Sequence, residues 1–371
     1  MRVVLAPDKF KGTLAAADVA AAMAAGWRRA EPGAEIEEIP VADGGESTLD
    51  ALVAALDGTI HTATVRGPLG DPVSAEYAIA DGPDGSVAVV EMARASGLSL
   101  VPASRRDPLR TTTYGTGELI GAAARHGPRT ILVCIGGSAT NDAGSGMAQA
   151  LGVRLLDADG EELPPGGASL TELARIDTSR LDPAVRAAEI VVASDVDNPL
   201  TGPHGAASVF GPQKGASPED VALLDQALGH CAAVVHRDLG LDLRDVSGAG
   251  AAGGLGGGLV AFLGARLRPG FEFVADLLDL GPRLEAADVV VTGEGRYDRQ
   301  SERGKAAWGV LRLAREAGCR SVLIAGQVEA TPPADVVLSL AERAGVEAAM
   351  ARPRQLLEEA AEEAARSLVA A

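Results

Sequence analysis

Short apolar runs rich in branched residues recur along this chain, and segments of helical period separate them. VVL (3–5), TILVC (130–134), EIVVA (189–193), VVVT (289–292) and SVLIA (321–325) are each too short to build a helix core. None alternates apolar with polar residues, so each is expected to be covered on both faces, as strands of a parallel sheet are. After the first run, Leu14, Val19, Met23, Trp27 and Ala30 fall close to helical spacing and predict a helix over 14–30. This repeated order constrains the fold class to α/β with mainly parallel sheets. A chain of 371 residues exceeds what one core usually organises, so two domains are expected. No internal repeat or low-complexity linker marks a boundary between them.

Further elements follow from the same reading. Helices are expected at 45–56, 115–127, from 144 onward and at 218–239, where Ser217 precedes Pro218 as an N-cap. Strands are expected at 35–41, 59–66, 73–80 and 86–92. The tail places Leu356, Ala360, Ala364 and Leu368 on one face, with Glu362 four residues before Arg366, and reads as a surface helix.

Net charge is −18, and no basic run occurs anywhere. Nucleic acid and anionic membranes are therefore excluded as partners, because neither is held without a positive patch. Cys134, Cys231 and Cys319 show no paired metal spacing and suit a reducing compartment. The five histidines form no metal-spaced cluster, so a zinc site is not expected. No apolar stretch approaches the roughly 20 residues of a membrane span, and Pro7 and Asp8 end the first one too early for a signal peptide. A soluble, cytoplasmic protein is expected, as monomer or homodimer.

Lysine and asparagine are scarce, and their positions are informative. The chain has four lysines (Lys9, Lys11, Lys214 and Lys305) and two asparagines (Asn141 and Asn198). All lie in glycine-rich, acid-bearing segments: residues 6–13, 133–152, 194–217 and 292–305. Arginine serves everywhere else, whereas a lysine is a compact charge suited to a phosphate oxygen in a tight site.

These segments follow strands, where open α/β sheets place their ligands. APDKFKG supplies Asp8, Lys9 and Lys11; VADGGE supplies Asp43, Gly44, Gly45 and Glu46. IGGSATNDAGSG carries Gly136, Gly137, Ser138, Thr140, Asn141 and Asp142 from a strand into a helix, where backbone amides can cradle an oxyanion. SDVDNPLTG adds Asp195, Asp197 and Asn198, and FGPQKG adds Lys214. TGEGRYDRQSERGK adds Glu294, Arg296, Asp298 and Lys305. Any one such loop is more often a plain turn with a capped helix; Asp43 and Asp142 could each be such a cap. Five at strand ends, holding every scarce residue, point to one active site.

Gly248, Gly250 and Gly253 match a dinucleotide fingerprint literally, but LGLDLRDVS before them is too polar for the buried strand that the motif requires. Close helix packing accounts for these glycines better. No Walker loop is present, because Gly304-Lys305 is followed by Ala306. Lysines, cradling amides and carboxylates able to hold Mg²⁺ suit phosphoryl transfer, which is mostly positioning and charge neutralisation. Two other classes stay open: a dinucleotide-dependent hydroxy-acid oxidoreductase, and a non-catalytic protein that binds small acids.

The motifs APDKFKGTL, VADGGESTLDAL, EMARASGL, RRDPLRTTTYGTGELI, IGGSATNDAGSGMAQALG, ASDVDNPLTGPHGAASVFGPQKGAS, GAGAAGGLGGGL and TGEGRYDRQS occur in this order nearly end to end. In them the chain resembles the bacterial glycerate kinases that make 2-phosphoglycerate. The resemblance implies ATP and Mg²⁺, D-glycerate as the acceptor, and two α/β domains, one inserted in the other, with ligands in the cleft between them. It is read here as an outer domain of residues 1–80 and 285–371 and an inserted domain of 81–284. The expected activity is a transferase that phosphorylates an organic acid, with a 3-phosphoglycerate-forming kinase as the alternative.

Lys11 and Lys214 are expected to neutralise phosphate or carboxylate charge, and the 136–146 loop to cradle phosphate. Asp195 is the expected base or metal-organising carboxylate, with Asp8, Asp43 and Glu294 as rivals; Asp195, Asp43 and Glu294 are the candidates for Mg²⁺. Arg106 and Arg296 are candidates for a clamp on the glycerate carboxylate. The chain departs from the family pattern at Lys9 (usually Ser), Ser47 (usually Gly), Tyr297 (usually aliphatic) and Ala306-Ala307 (usually a hydrophobic residue and Pro). It is also expected to be shorter past residues 324–328.

Overall fold

The structure is a computed structural model and describes residues 1–369. The chain divides into two compact units. The first unit comprises Met1–Asp43, Asp50–Gly58 and the chain from Pro269 onward. Its sheet has five strands in the order Val336–Ser339, Arg320–Ala325, Val289–Thr292, Arg2–Leu5, Glu35–Glu38. Every pairing is parallel. The branched runs at 3–5, 289–291 and 322–325 are fully buried, because helices cover both faces of the three inner strands.

Helix Ala16–Ala30 packs against the C-terminal helix Pro353–Val369. A Cβ added at Gly26 would collide with the carbonyl oxygen of Glu358, so the two backbones meet where one residue lacks a side chain. Arg29 bonds both Glu358 and Glu362 at 2.9 Å, and Arg366 pairs with Glu362 as its spacing predicts. The tail helix is more deeply packed than a surface helix, however. Leu357, Ala361 and Ala365 are buried beside Leu356, Ala360, Ala364 and Leu368, which widens the apolar stripe.

The second unit comprises Gly44–Leu49 and Thr59–Arg268. Its six strands run in the order Arg266–Arg268, Glu189–Ala193, Thr130–Cys134, Gly85–Glu91, Pro72–Gly82, Thr59–Arg66. The first four are parallel and the last two antiparallel, so the sheet is mixed. Helix Pro218–Leu239 begins with a full capping box between Ser217 and Asp220.

These units differ from the expected boundaries in three places. Residues 59–80 belong to the six-stranded sheet, because Pro72–Gly82 pairs with both Thr59–Arg66 and Gly85–Glu91 through local hairpin connections. Residues 269–284 belong to the first unit, where helices Gly270–Leu277 and Leu280–Glu285 pack on Ala306–Ala317. Residues 44–49 belong to the second unit, where the buried Glu91 carboxylate accepts from the Leu49 amide at 2.9 Å. Among the described residues no helix is long and apolar enough to cross a membrane.

Candidate active site

In the second unit, strand Thr130–Cys134 delivers the chain into the glycine loop, which ends at helix Ser145–Ala150. Asp142 is buried and organises this loop. Its Oδ2 accepts from the Thr113 amide (2.8 Å), the Thr113 hydroxyl (2.9 Å) and the Gly146 amide (3.3 Å); Oδ1 accepts from the Gly144 amide (3.2 Å). The helix N-cap is Gly144, without a side-chain cap bond, so Asp142 braces the loop ahead of the helix and tethers it to a distant segment instead of capping it. Burial pushes the Asp142 carboxyl above its ordinary range, against the lowering effect of these donors.

Lys214 enters the same loop from the short turn Pro212–Lys214. Its ammonium, with the residue only 1% exposed, donates to the Ser138 hydroxyl at 2.7 Å and to the Thr140 carbonyl at 2.6 Å. Burial lowers its pKa to about 7, with Asp142 opposing through space. Next to these atoms, the Thr140 hydroxyl and both amide atoms of Asn141 are buried with no hydrogen-bond partner among the described residues. Orphaned buried polar groups are costly and call for a ligand or solvent to complete them.

The loop is held from behind by the glycine-rich segment 248–258. Gly253 (φ +71°) sits so close that a Cβ there would strike the Thr140 carbonyl, and Ala143 and Ala252 also adopt left-handed backbone. Strain of this kind collects at functional sites when packing enforces it. The 248–253 glycines follow the turn Leu243–Asp245 rather than a strand, so the dinucleotide motif lacks its context.

A second group of candidates lies in the first unit. The Asp8 amide bonds the Gly293 carbonyl at 2.8 Å, which lays the loop after strand Arg2–Leu5 beside the loop after Val289–Thr292. Asp8 and Glu294 are both nearly inaccessible to solvent. Burial raises the Asp8 carboxyl to about 6, with Lys9 and Lys305 lowering it and Asp43 raising it. Burial likewise raises Glu294 to about 7, with Ser301 and Lys305 lowering it and Asp8 raising it. Lys305 Nζ stands 3.7 Å from Glu294 Oε2, while Oε1 is buried without a partner among the described residues.

The remaining candidates have settings of their own. Asp195 is exposed just past strand Glu189–Ala193, and the Asn198 amide donates to the His204 carbonyl at 2.9 Å. Arg106 donates to the Gln213 carbonyl at 3.2 Å, beside Lys214 in sequence, and its Nε is buried and unpartnered among the described residues. Arg296 is engaged by Glu329 and by Asp298 at 3.7 Å. Lys11 is exposed. Gly136 lies against Gly45, and Gly137 against the Glu46 side chain, while Gly44 opens the same segment. Of the metal candidates, Asp43 and Glu294 belong to the first unit and Asp195 to the second. Among the described residues no group of three His, Cys, Asp or Glu is placed to hold a metal ion.

Sequence reasoning passed over Thr111, Thr113, Thr116, Ser96 and Glu91, all of them buried. Thr111 donates to the Ala139 carbonyl at 2.9 Å, and Thr116 to the Ser96 hydroxyl at 2.9 Å. The run TTTYGTG was the available signal, since so many hydroxyls in one segment need partners once buried.

The profile described as "Glycerate kinase family" matches residues 3–369. This chain belongs to the glycerate kinase family. A glycerate kinase of Bacillus subtilis (strain 168) is 49% identical over 328 residues, covering 88% of this chain and 85% of the relative. The glycerate 2-kinase of Escherichia coli (strain K12) is 49% identical over 328 residues, covering 88% and 86%. The crystal structure of a protein assigned as glycerate kinase 2 from Salmonella typhimurium LT2 matches with a TM-score of 0.93 at 46% identity. That match covers 100% of this chain and 98% of the other. Within the glycerate kinase family, the α/β class with mainly parallel sheets is as the sequence predicts.

Proposed function

We propose that this chain transfers the γ-phosphoryl group of ATP to the 2-hydroxyl of D-glycerate, in the cytoplasm, giving 2-phosphoglycerate and ADP. The observation that carries the reading is the buried Lys214 ammonium on the Ser138–Asn141 loop, beside orphaned polar atoms that a ligand would complete. The 49% identity to a relative named glycerate 2-kinase supports the 2-position over a 3-phosphoglycerate product.

Within this reading, the loop amides, Thr140 and Lys214 bind phosphate or carboxylate oxygens, and Arg106, bonded to the carbonyl of Gln213 next to Lys214, lies near enough to help. Asp195 is the candidate for the base that takes the hydroxyl proton, with Asp8 as its rival. Mg²⁺ usually takes only one or two carboxylates and completes its shell with phosphates and water, so two acids suffice for it. Glu294, with its orphaned Oε1, and Asp43 would hold the ion, and the ion would neutralise phosphate charge.

The test is ADP release from ATP and Mg²⁺ with and without D-glycerate, the product being read by phosphorus NMR. A glycerate-dependent 2-phosphoglycerate signal is expected. A 3-phosphoglycerate signal would move the position, and no glycerate-dependent turnover from folded protein would end the assignment. Replacing Asp195 by Asn should collapse kcat with a smaller change in KM; a near-normal kcat would remove Asp195 from the mechanism.

A further inference from the structure

Lys214 is held in an unusual way for a buried lysine. Both atoms that accept from it, Ser138 Oγ and the Thr140 carbonyl, are neutral. The charged group that acts on it is Asp142, and only through space, because the Asp142 oxygens are taken by Thr113, Gly144 and Gly146. Arg106, on the neighbouring segment, directs its guanidinium to the Gln213 carbonyl. Among the described residues the ammonium therefore has no ion-pair partner, and it sits buried beside the orphaned Thr140 hydroxyl and Asn141 amide. A small anion received by these groups would supply the missing negative charge.

We propose that the anion binding at the Ser138–Asn141 loop brings a proton with it, and that Lys214 is the residue that takes the proton up. The inference deepens the kinase reading above and rests on its assignment of this loop to an anion. Without an anion beside it, burial lowers the Lys214 ammonium to about 7. An adjacent phosphate or carboxylate favours the ammonium, so its pKa rises on binding. Above about pH 7 the free protein must then gain a proton when the anion arrives, and affinity must fall as pH rises. The site consequently selects the anion together with a proton, rather than presenting a permanent charge as an arginine would.

Isothermal titration of ADP into the full chain at pH 8.5, in buffers of different ionisation enthalpy, counts the protons taken up. D-glycerate is titrated in the same way, because phosphate and carboxylate share the required chemistry and only one need occupy this loop. For the anion that occupies it, uptake approaching one proton is expected, with affinity falling up to about tenfold per pH unit between pH 8 and 9. Lys214→Arg should bind without uptake and with little dependence on pH. Binding by the wild type with no proton uptake would overturn the coupling while leaving the anion site in place. Uptake that persists in Lys214→Met would assign the proton to another group and overturn it as well. Unchanged affinity of Lys214→Met for both anions, or no binding of either to folded wild type, would remove the anion-site reading and the inference with it.

Discussion

Asp142 and Thr113 are joined twice: one carboxylate oxygen, Oδ2, accepts both the amide of Thr113 at 2.8 Å and its hydroxyl at 2.9 Å. The same hydroxyl accepts from the Met147 amide at 2.9 Å. The threonine run before helix Tyr114–Ala124 is thereby fastened to the glycine loop that receives Lys214. Removing the hydroxyl leaves a buried amide and a buried carboxylate short of a partner. Thr113→Val should lower stability by about 2–3 kcal/mol in urea unfolding, while Thr113→Ser retains most of it. Equal stability of the two variants would mean that the hydroxyl contributes nothing.

Glu294 gives stability a pH dependence whose sign is fixed by the direction of its shift. Its pKa rises from 4.5 when unfolded to about 7 when folded, so burial favours the protonated form. The associated stability is fully present below about pH 4.5 and is lost as pH rises through 7, for a total of about 3 kcal/mol. Asp8, raised to about 6, adds a fall of the same sign over a lower window. Urea unfolding with a chelator present should show Glu294→Gln losing less stability than wild type between pH 5 and 7. Parallel pH profiles would refute the shift.

Ser47 carries a left-handed backbone, φ 71°, at a position where the family usually has glycine. A side chain there costs roughly 1 kcal/mol that glycine does not. Ser47→Gly should raise the thermal midpoint by a few degrees; a lower midpoint would show that the serine hydroxyl outweighs the backbone cost.

Gly253 is constrained by both conformation and space, with φ +71° and the Thr140 carbonyl in the way of any Cβ. Because Thr140 is an acceptor for Lys214, pushing its carbonyl aside disturbs the loop as well as the core. Gly253→Ala should destabilise by about 3 kcal/mol and lower kcat/KM for glycerate in whatever folded fraction remains. Full activity with unchanged melting would show that the glycine face is free to adapt.

The sequence by itself determined the alternation of buried runs and helical periods, and with it the parallel sheets, because branched apolar residues without alternation have few other places to go. It also singled out Lys214, Asn141 and Lys305 as site candidates, because lysine and asparagine are scarce here and fall in loops beyond strands. Tertiary structure decided where the sheets divide. Hairpin pairing draws residues 59–80 into the six-stranded sheet, a choice that rests on partners and not on the strand's own pattern. It also decided which polar residues act together. Thr113 and Asp142, and likewise Lys214 and Ser138, are far apart in sequence, and only folding sets the dielectric around them. Burial is a property of the packed molecule, which is why the altered proton affinities of Lys214, Asp8 and Glu294 could not be read from residue order.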